Sequence, residues 1–379
     1  MKHITRSIVL ALVAAGVGVR ATVAQPQSTL GYYRYPALAG DSIVFTAEGD
    51  LWRVPLGGGT AQRLTSHPAE ESHAAVSPDG RTVAFSASYE GPTEVYTLSL
   101  DAPAPPQRQT WEGANAIVVG WTPQGEILYS TRRYSTLPNT QLARLNPRTH
   151  AITLIPLAQA SDGAYDGSTL FFTRFPFQGS YTKRYHGGTA QSIWKFSGSG
   201  EATNLTGDYT GTSKTPMVWQ GRVYFLSDRD GTINLWSMDP SGKDLKQHTR
   251  HGGGFDVQSP SLANGRIVYQ LGADLRVYDI AANRDAAVPV RLVSDFDQMR
   301  DRWVKAPADW ISTAHVSPNG DRVVFTARGQ LFVVPAQQGR IVEATRDRKA
   351  RFREGRFFPD GRSLLALSDK SGEIGRAHV

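Results

Sequence analysis

Ser77-Pro78-Asp79-Gly80, followed by Arg81-Thr82-Val83-Ala84-Phe85, is the stretch on which the fold is read. It returns as Ser317-Pro318-Asn319-Gly320 before Asp321-Arg322-Val323-Val324-Phe325, and as Phe358-Pro359-Asp360-Gly361 before Arg362-Ser363-Leu364-Leu365-Ala366. Weaker copies stand at Thr122-Pro123-Gln124-Gly125, Trp219-Gln220-Gly221 and Ala263-Asn264-Gly265, and Gly40 and Gly167 precede similar apolar runs. A tight hairpin asks one residue to take positive φ, which glycine does without steric cost. The anchors at 40, 80, 125, 167, 221, 265, 320 and 361 recur every 40 to 55 residues. That is the period of propeller blades; most solenoid repeats are shorter.

Each unit repeats further parts. Past most anchors comes a period-2 strand: Asp50-Leu51-Trp52-Arg53-Val54, Glu94-Val95-Tyr96-Thr97-Leu98, Ser192-Ile193-Trp194-Lys195-Phe196, Asn234-Leu235-Trp236-Ser237-Met238, Asp274-Leu275-Arg276-Val277-Tyr278 and Gln330-Leu331-Phe332-Val333-Val334. An outer strand closes many units, as in Gln62-Arg63-Leu64-Thr65, Thr203-Asn204-Leu205-Thr206, Lys246-Gln247-His248-Thr249 and Val342-Glu343-Ala344-Thr345. The segment before each anchor supplies the innermost strand. Four antiparallel strands per unit predict an all-β propeller, whose radial packing leaves only short sheet edges. A β-sandwich does not repeat one sequence eight times, and β-helix coils are shorter. Helical signals are sparse beyond the N-terminus, and 37 glycines and 22 prolines suit turn-dense β structure.

The N-terminus reads as a secretory signal over residues 1–24. Lys2, His3 and Arg6 precede an apolar stretch of 12 residues, 8–19, too short to span a bilayer, and Thr22-Val23-Ala24 offers small residues for cleavage. The alternative is an uncleaved anchor. Removal of Lys2, Arg6 and Arg20 lowers the formal charge from +7 to +4. Positive residues are spread along the predicted strands, which gives no nucleic-acid patch. There is no cysteine, so neither disulfide nor thiol chemistry is available. At the other end, Ile374-Gly375-Arg376-Ala377-His378-Val379 breaks the repeat and equals one reading frame of a common sequencing adapter. The expectation is that residues 374–379 are an artefact and that the native protein continues.

Motifs for chemistry are few. No G-x-S-x-G elbow occurs; Ser197-Gly198-Ser199-Gly200 has the wrong spacing and reads as a turn. No H-E-x-x-H occurs, and His248 with His251, like His67 with His73, lacks a nearby third ligand, so no metal and no cofactor is expected. Asp228-Arg229-Asp230-Gly231 runs into a strand and reads as a β-turn rather than a calcium loop, and Gly57-Gly58-Gly59 as a hairpin rather than a phosphate loop. The fourth unit carries an insertion from 174 to 191 with Phe175, Phe177, Tyr181 and Tyr185. These aromatics suit packing on a neighbouring blade or a contact with another subunit.

Six anchors precede the break at 296–310, and two follow it. This order resembles the start of tricorn-type serine peptidases. So do Tyr32-Tyr33-Arg34-Tyr35-Pro36-Ala37, Tyr185-His186-Gly187-Gly188-Thr189-Ala190-Gln191-Ser192-Ile193-Trp194, Leu226-Ser227-Asp228-Arg229-Asp230-Gly231 and Arg302-Trp303-Val304. The resemblance implies a six-bladed propeller over 28–295, a linker at 296–310, and the first two blades of a second, seven-bladed propeller over 311–373. It also implies a protein that binds and channels short peptides; the signal pattern of 1–24 makes that protein an exported one, periplasmic or extracellular and free of the membrane after cleavage. Hydrolysis would belong to a part missing from this chain, and the full-length protein would be a homo-oligomer. No catalytic residue carries over onto this sequence. Arg132 and Arg133 are the candidate substrate-binding pair, because two guanidinium groups can hold a peptide carboxylate; ordinary surface charge is the alternative. Rival readings are a TolB-like periplasmic binding scaffold and the propeller of a prolyl-oligopeptidase-type hydrolase.

Overall fold

The computed structural model describes residues 31–176, 185–252, 254–296, 303–371 and 375–378. The expected signal segment, Phe177 and Tyr181 of the insertion, and residues 297–302 lie outside them. The chain divides into two compact units, Met1–Gln298 and Met299–Val379. Among the described residues there is no α-helix, only strands, turns and a single 3-10 turn at Pro307–Trp310.

Among the described residues, the first unit holds six four-stranded antiparallel sheets, each built from one contiguous stretch with strands in sequence order, and one two-stranded parallel sheet. Sheet one is typical: Arg34–Ala39, Ser42–Ala47, Asp50–Pro55 and Gln62–Arg63. The first strands of the other five are Glu71–Val76, Ala116–Trp121, Asp162–Asp166, Ser213–Trp219 and Val257–Ala263. These six first strands touch in succession, and the sixth touches the first, so they are the innermost strands of a closed ring. The expected order of strands within a unit, innermost before the anchor turn, is the one observed. All eight anchor glycines take left-handed φ, from 57° at Gly167 to 80° at Gly125.

The period-2 geometry of a strand explains why the second strands read as unbroken apolar runs. Every residue of Ser42–Ala47 is buried. Ile43 and Phe45 pack with Val268 and Leu275 of sheet six, while Val44, on the opposite face, packs with Val83 and Phe85 of sheet two. Ala84 then faces Ile127 and Tyr129 of sheet three, and Leu128 faces Leu170 and Phe172 of sheet four. Phe171 meets Val223 and Phe225 of sheet five, and Tyr224 and Leu226 meet Ile267 and Tyr269 of sheet six. Alternation therefore feeds six cores in turn around the ring. Burial of each such side chain is worth about 1.5–3 kcal/mol.

The ring is sealed by the segment that follows sheet six. Val290–Arg291 runs parallel to Gly59–Thr60, a short strand that lies between the third and fourth strands of sheet one and pairs with this segment alone in a two-stranded sheet. The amides of Gly59 and Ala61 donate to the carbonyls of Pro289 and Arg291 at 2.8 and 2.9 Å. Val288, Val290 and Leu292 enter the core between sheets six and one.

A polar device recurs in the sheets. An amide at the start of the third strand donates to a threonine hydroxyl just past the outer strand: Leu51 to Thr65, Val95 to Thr110, Ile193 to Thr206, Leu235 to Thr249 and Leu331 to Thr345, each at 2.9 Å. In four of these the hydroxyl donates onward, to Glu71, Glu94, Asn234 or Gln330. Each buried donor is thus satisfied.

The second unit contains sheet seven, Ile311–Val316, Arg322–Ala327, Gln330–Pro335 and Val342–Glu343, and sheet eight, Phe352–Phe357, Leu364–Ser368 and Gly375–His378. Val324, Leu331, Phe352 and Leu364 form its core. The sequence reading stops the repeat before residue 374, yet Gly375–His378 pairs antiparallel with Leu364–Ser368. An extended segment satisfies the backbone groups of an open strand edge whatever its side chains.

Candidate functional site

The inner strands all begin at one end of the ring, opposite the end that carries the anchor turns. The links between sheets and the loops between second and third strands share that end. Four inner strands carry a register shift beside a non-glycine residue with positive φ: Tyr35 (48°), His73 (53°), Thr215 (52°) and Ser259 (46°). Such bulges re-aim side chains and gather next to functional sites. Proline follows in three of them, at Pro36, Pro216 and Pro260. A proline inside a strand pattern belongs at an edge or a bulge, so this signal was present in the sequence.

Sheets one and two contribute an aromatic and cationic group. The Arg34 guanidinium lies 5.3 Å from the Tyr32 ring centroid and 5.6 Å from that of Tyr35, and pairs with Glu70 at 2.5 Å. Tyr35 stacks on His73 with centroids 4.2 Å apart. Burial lowers the His73 pKa to about 4, so the ring is neutral at ordinary pH.

Sheets four to six contribute an acidic group around a lysine. Lys214 is 8% exposed, and burial lowers its pKa to about 8 against the pull of Asp162, Asp256 and Asp228. Burial raises the Asp162 carboxyl, against hydrogen bonds donated by the Thr215 hydroxyl and backbone. Asp228 accepts from the Thr212 amide at 2.8 Å and the Tyr209 hydroxyl at 3.0 Å. Asp256 accepts from the Ile233 amide at 3.1 Å. Neither the Arg34 group nor the Lys214 group was read as a site from the sequence: Tyr32, Arg34 and Tyr35 adjoin, but Glu70 and His73 lie more than thirty residues on, and Asp162, Lys214, Asp228 and Asp256 are spread along the chain.

Arg132 and Arg133 sit on the loop between Ile127–Thr131 and Gln141–Leu145, at this same end, and both are exposed. The Arg133 amide donates to Thr131 Oγ1 at 3.1 Å, and the Tyr134 hydroxyl donates to Glu112 at 3.0 Å, which pins the loop. Glu112 also accepts from Tyr129 at 2.7 Å.

The other sequence candidates have structural partners. His248 contacts the Ser237 hydroxyl at 2.6 Å and the Tyr278 hydroxyl at 2.9 Å, and His251 contacts the Tyr269 hydroxyl at 2.8 Å. Ser237 is fully buried, so its pairing with a histidine cannot reach a substrate. His67 packs against Tyr89 with ring centroids 4.0 Å apart and planes tilted by 39°. Asp228-Arg229-Asp230-Gly231 is a turn, closed by the Gly231 amide on the Asp228 carbonyl at 2.9 Å. In the insertion, the Phe175 carbonyl accepts from Ser161 at 2.6 Å and Gln191 at 2.8 Å, and Arg174 lies 5.3 Å from the Trp194 ring, so this part packs on its own sheet.

Comparison with known proteins agrees with this architecture. The crystal structure of the tricorn protease superposes with a TM-score of 0.68 at 20% identity, covering 92% of this chain and 35% of that one. A tricorn protease homolog of Saccharolobus solfataricus is 28% identical over 345 residues, 89% of this chain and 32% of its own. Tricorn protease homolog 1 of Streptomyces coelicolor is 32% identical over 274 residues, 71% of this chain and 25% of its own. The chain spans about a third or less of the length of these relatives. The model of the tricorn protease N-terminal β-propeller domain matches residues 30–284, the whole ring of inner strands included, and the chain belongs to that family.

Proposed function

We propose that this chain is the substrate-binding propeller portion of a longer, exported, tricorn-like serine peptidase. The ring binds short peptides at the loop end and guides them to a hydrolytic part that lies in the remainder of the longer protein, which assembles from several copies. The observation that carries this reading is the family match over the ring, 30–284. The chemistry at the loop end supports it. An extended peptide is zwitterionic, and this end offers a cation between two tyrosines on one side and carboxylates around Lys214 on the other. Export rests on the pattern of residues 1–24; an intact Met1 in the mass of the mature protein would reject cleavage.

Arg132 and Arg133 are the proposed anchors for a peptide's terminal carboxylate. They are exposed, with their loop held by Glu112, so truncation should leave the fold intact. In the full-length enzyme, Arg132→Ala with Arg133→Ala should raise KM for free-carboxylate peptides about tenfold and leave amidated peptides nearly unchanged, since one charge-assisted hydrogen bond is worth roughly 1.5–3 kcal/mol. Equal effects on both peptide classes would remove the pair from substrate binding. Light scattering on the full-length protein reads the assembly.

A further inference from the structure

The even spread of positive charge fails in one place. Over residues 346–356, Arg346, Arg348, Lys349, Arg351, Arg353 and Arg356 are met only by Asp347 and Glu354. Asp347 is taken by Lys370 at 2.9 Å. Within the second unit, Arg351 and Arg353 join Arg328 on the wall of a cavity of about 520 Å³ between sheets seven and eight, a volume suited to a small ligand. None of these three guanidinium groups forms an ion pair among the described residues.

The rest of the wall narrows the ligand. Trp310 is 55% exposed and carries the Arg328 guanidinium 5.4 Å from its ring centroid. The Thr313 hydroxyl oxygen is buried and has no hydrogen-bond partner among the described residues. Glu354 is the one acidic side chain of the wall and lies in a bulge with φ 54°. Three guanidinium groups against one carboxylate leave an excess of positive charge. The buried Thr313 hydroxyl lacks a partner, the three exposed guanidinium groups beside it suit an oxyanion that can accept from both, and the indole face suits an apolar group next to it.

We propose that this cavity binds a peptide carboxylate, clamped by Arg351 and Arg353, hydrogen-bonded by Thr313, with the adjoining apolar part of the peptide on Trp310. The assignment rests on the reading of this chain as peptide-binding, but uses none of the residues of the ring. The carboxylate comes either from a peptide terminus or from an acidic side chain.

The test is fluorescence anisotropy on the full chain with N-terminally labelled tetrapeptides. One is Ala-Ala-Ala-Phe with a free terminus, one is its amide, and one is the amide with Glu in third place. The free-terminus peptide, the Glu-bearing amide, or both should bind at least tenfold more tightly than the plain amide, and the better of the two names the source. Arg351→Gln with Arg353→Gln should lower that preference, and should abolish it when made on top of Arg132→Ala with Arg133→Ala; Arg353→Lys alone should reduce it less, with circular dichroism melts unchanged. The preference should survive Arg132→Ala with Arg133→Ala. Equal binding of all three peptides would overturn the assignment, as would unaltered preference in the glutamine variant. Failure there with loss in the Arg132/Arg133 variant would remove this cavity and leave the proposed function standing. Competition by inorganic phosphate or a short oligonucleotide at concentrations below those of the peptide would reassign the cavity to phosphate groups.

Discussion

His73 shows how a single residue here couples local backbone, packing and proton uptake. It holds a left-handed φ of 53° on an inner strand, stacks on Tyr35 and is buried enough to stay neutral until about pH 4. In the unfolded chain its pKa returns to about 6.5. The unfolded state therefore takes up the proton first as pH falls. The stability His73 contributes is fully present above pH 6.5 and is lost as pH drops from 6.5 towards 4. His248, lowered to about 4 by burial, acts in the same window. The raised carboxyls of Glu71 and Asp162 act in the opposite sense, since the folded state protonates them first. His73→Asn isolates the residue, because asparagine tolerates the left-handed region and does not titrate. The urea midpoint of the parent should fall more steeply between pH 6.5 and 5 than that of His73→Asn; parallel slopes would show that His73 does not titrate differently on folding. None of this was legible in the sequence, where His73 is one of two histidines flanking a loop. Its environment comes from Arg34 and Tyr35, some forty residues earlier. The recurring threonines lie between these extremes. Thr65, Thr206, Thr249 and Thr345 were visible as strand ends, but the long-range hydrogen bond each makes, 13 or 14 residues back, needed the fold.

At the scale of the element, the hairpins were the most legible part, because the anchor turn demands a conformation that one residue type supplies. The second strands were legible for a related reason: burial on both faces removes polar residues from both periods of the strand. The inner strands were not. Their side chains line a partly polar ring, so the apolar pattern fades, and the bulges at Tyr35, Thr215 and Ser259 are marked only by the proline that follows. Ser259 gives the cleanest measurement of what a bulge costs. Its φ is 46°, and no side-chain hydrogen bond holds it there among the described residues. Ser259→Gly relieves a left-handed strain of about 1–2 kcal/mol and adds about 0.5–1 kcal/mol of unfolded-chain entropy. The net should be neutral to about 1 kcal/mol stabilising in urea unfolding. Ser259→Val should cost about 1–3 kcal/mol, because a β-branched side chain is worst at positive φ. If valine is tolerated as well as glycine, the strand has no fixed bulge at this position.

At the scale of the molecule, each sheet is made from its own stretch of chain, so no strand is shared between sheet six and sheet one, and the ring must be closed by other means. Six apolar interfaces hold neighbouring sheets, but five join sheets linked directly by the chain. The sixth joins distant ends of the unit, and closing that loop costs entropy that the interface must offset. The clasp of 288–292 on the hairpin after Asp50–Pro55 reinforces this joint. Gly57-Gly58-Gly59 reads as a hairpin and little more in the sequence; in the fold Gly58 lets the clasp approach. A Cβ there would meet the Pro289 carbonyl oxygen at 2.5 Å, at a φ of +88°. Gly57 has nothing within 4 Å of its would-be Cβ, and Gly80 combines a φ of +77° with open space. Gly58→Ala should therefore incur the left-handed strain of about 1–2 kcal/mol that Gly80→Ala also incurs, and lose in addition the contact between clasp and hairpin. Gly57→Ala should be near neutral. In thermal unfolding of the full chain the order of stability should be Gly57→Ala, then Gly80→Ala, then Gly58→Ala, with amide exchange at Gly59 and Ala61 accelerated only in the last. Equal melting of Gly58→Ala and Gly80→Ala would mean that the six sheets hold their ring by side-chain packing alone, and that the parallel pair at its seam contributes nothing to closure.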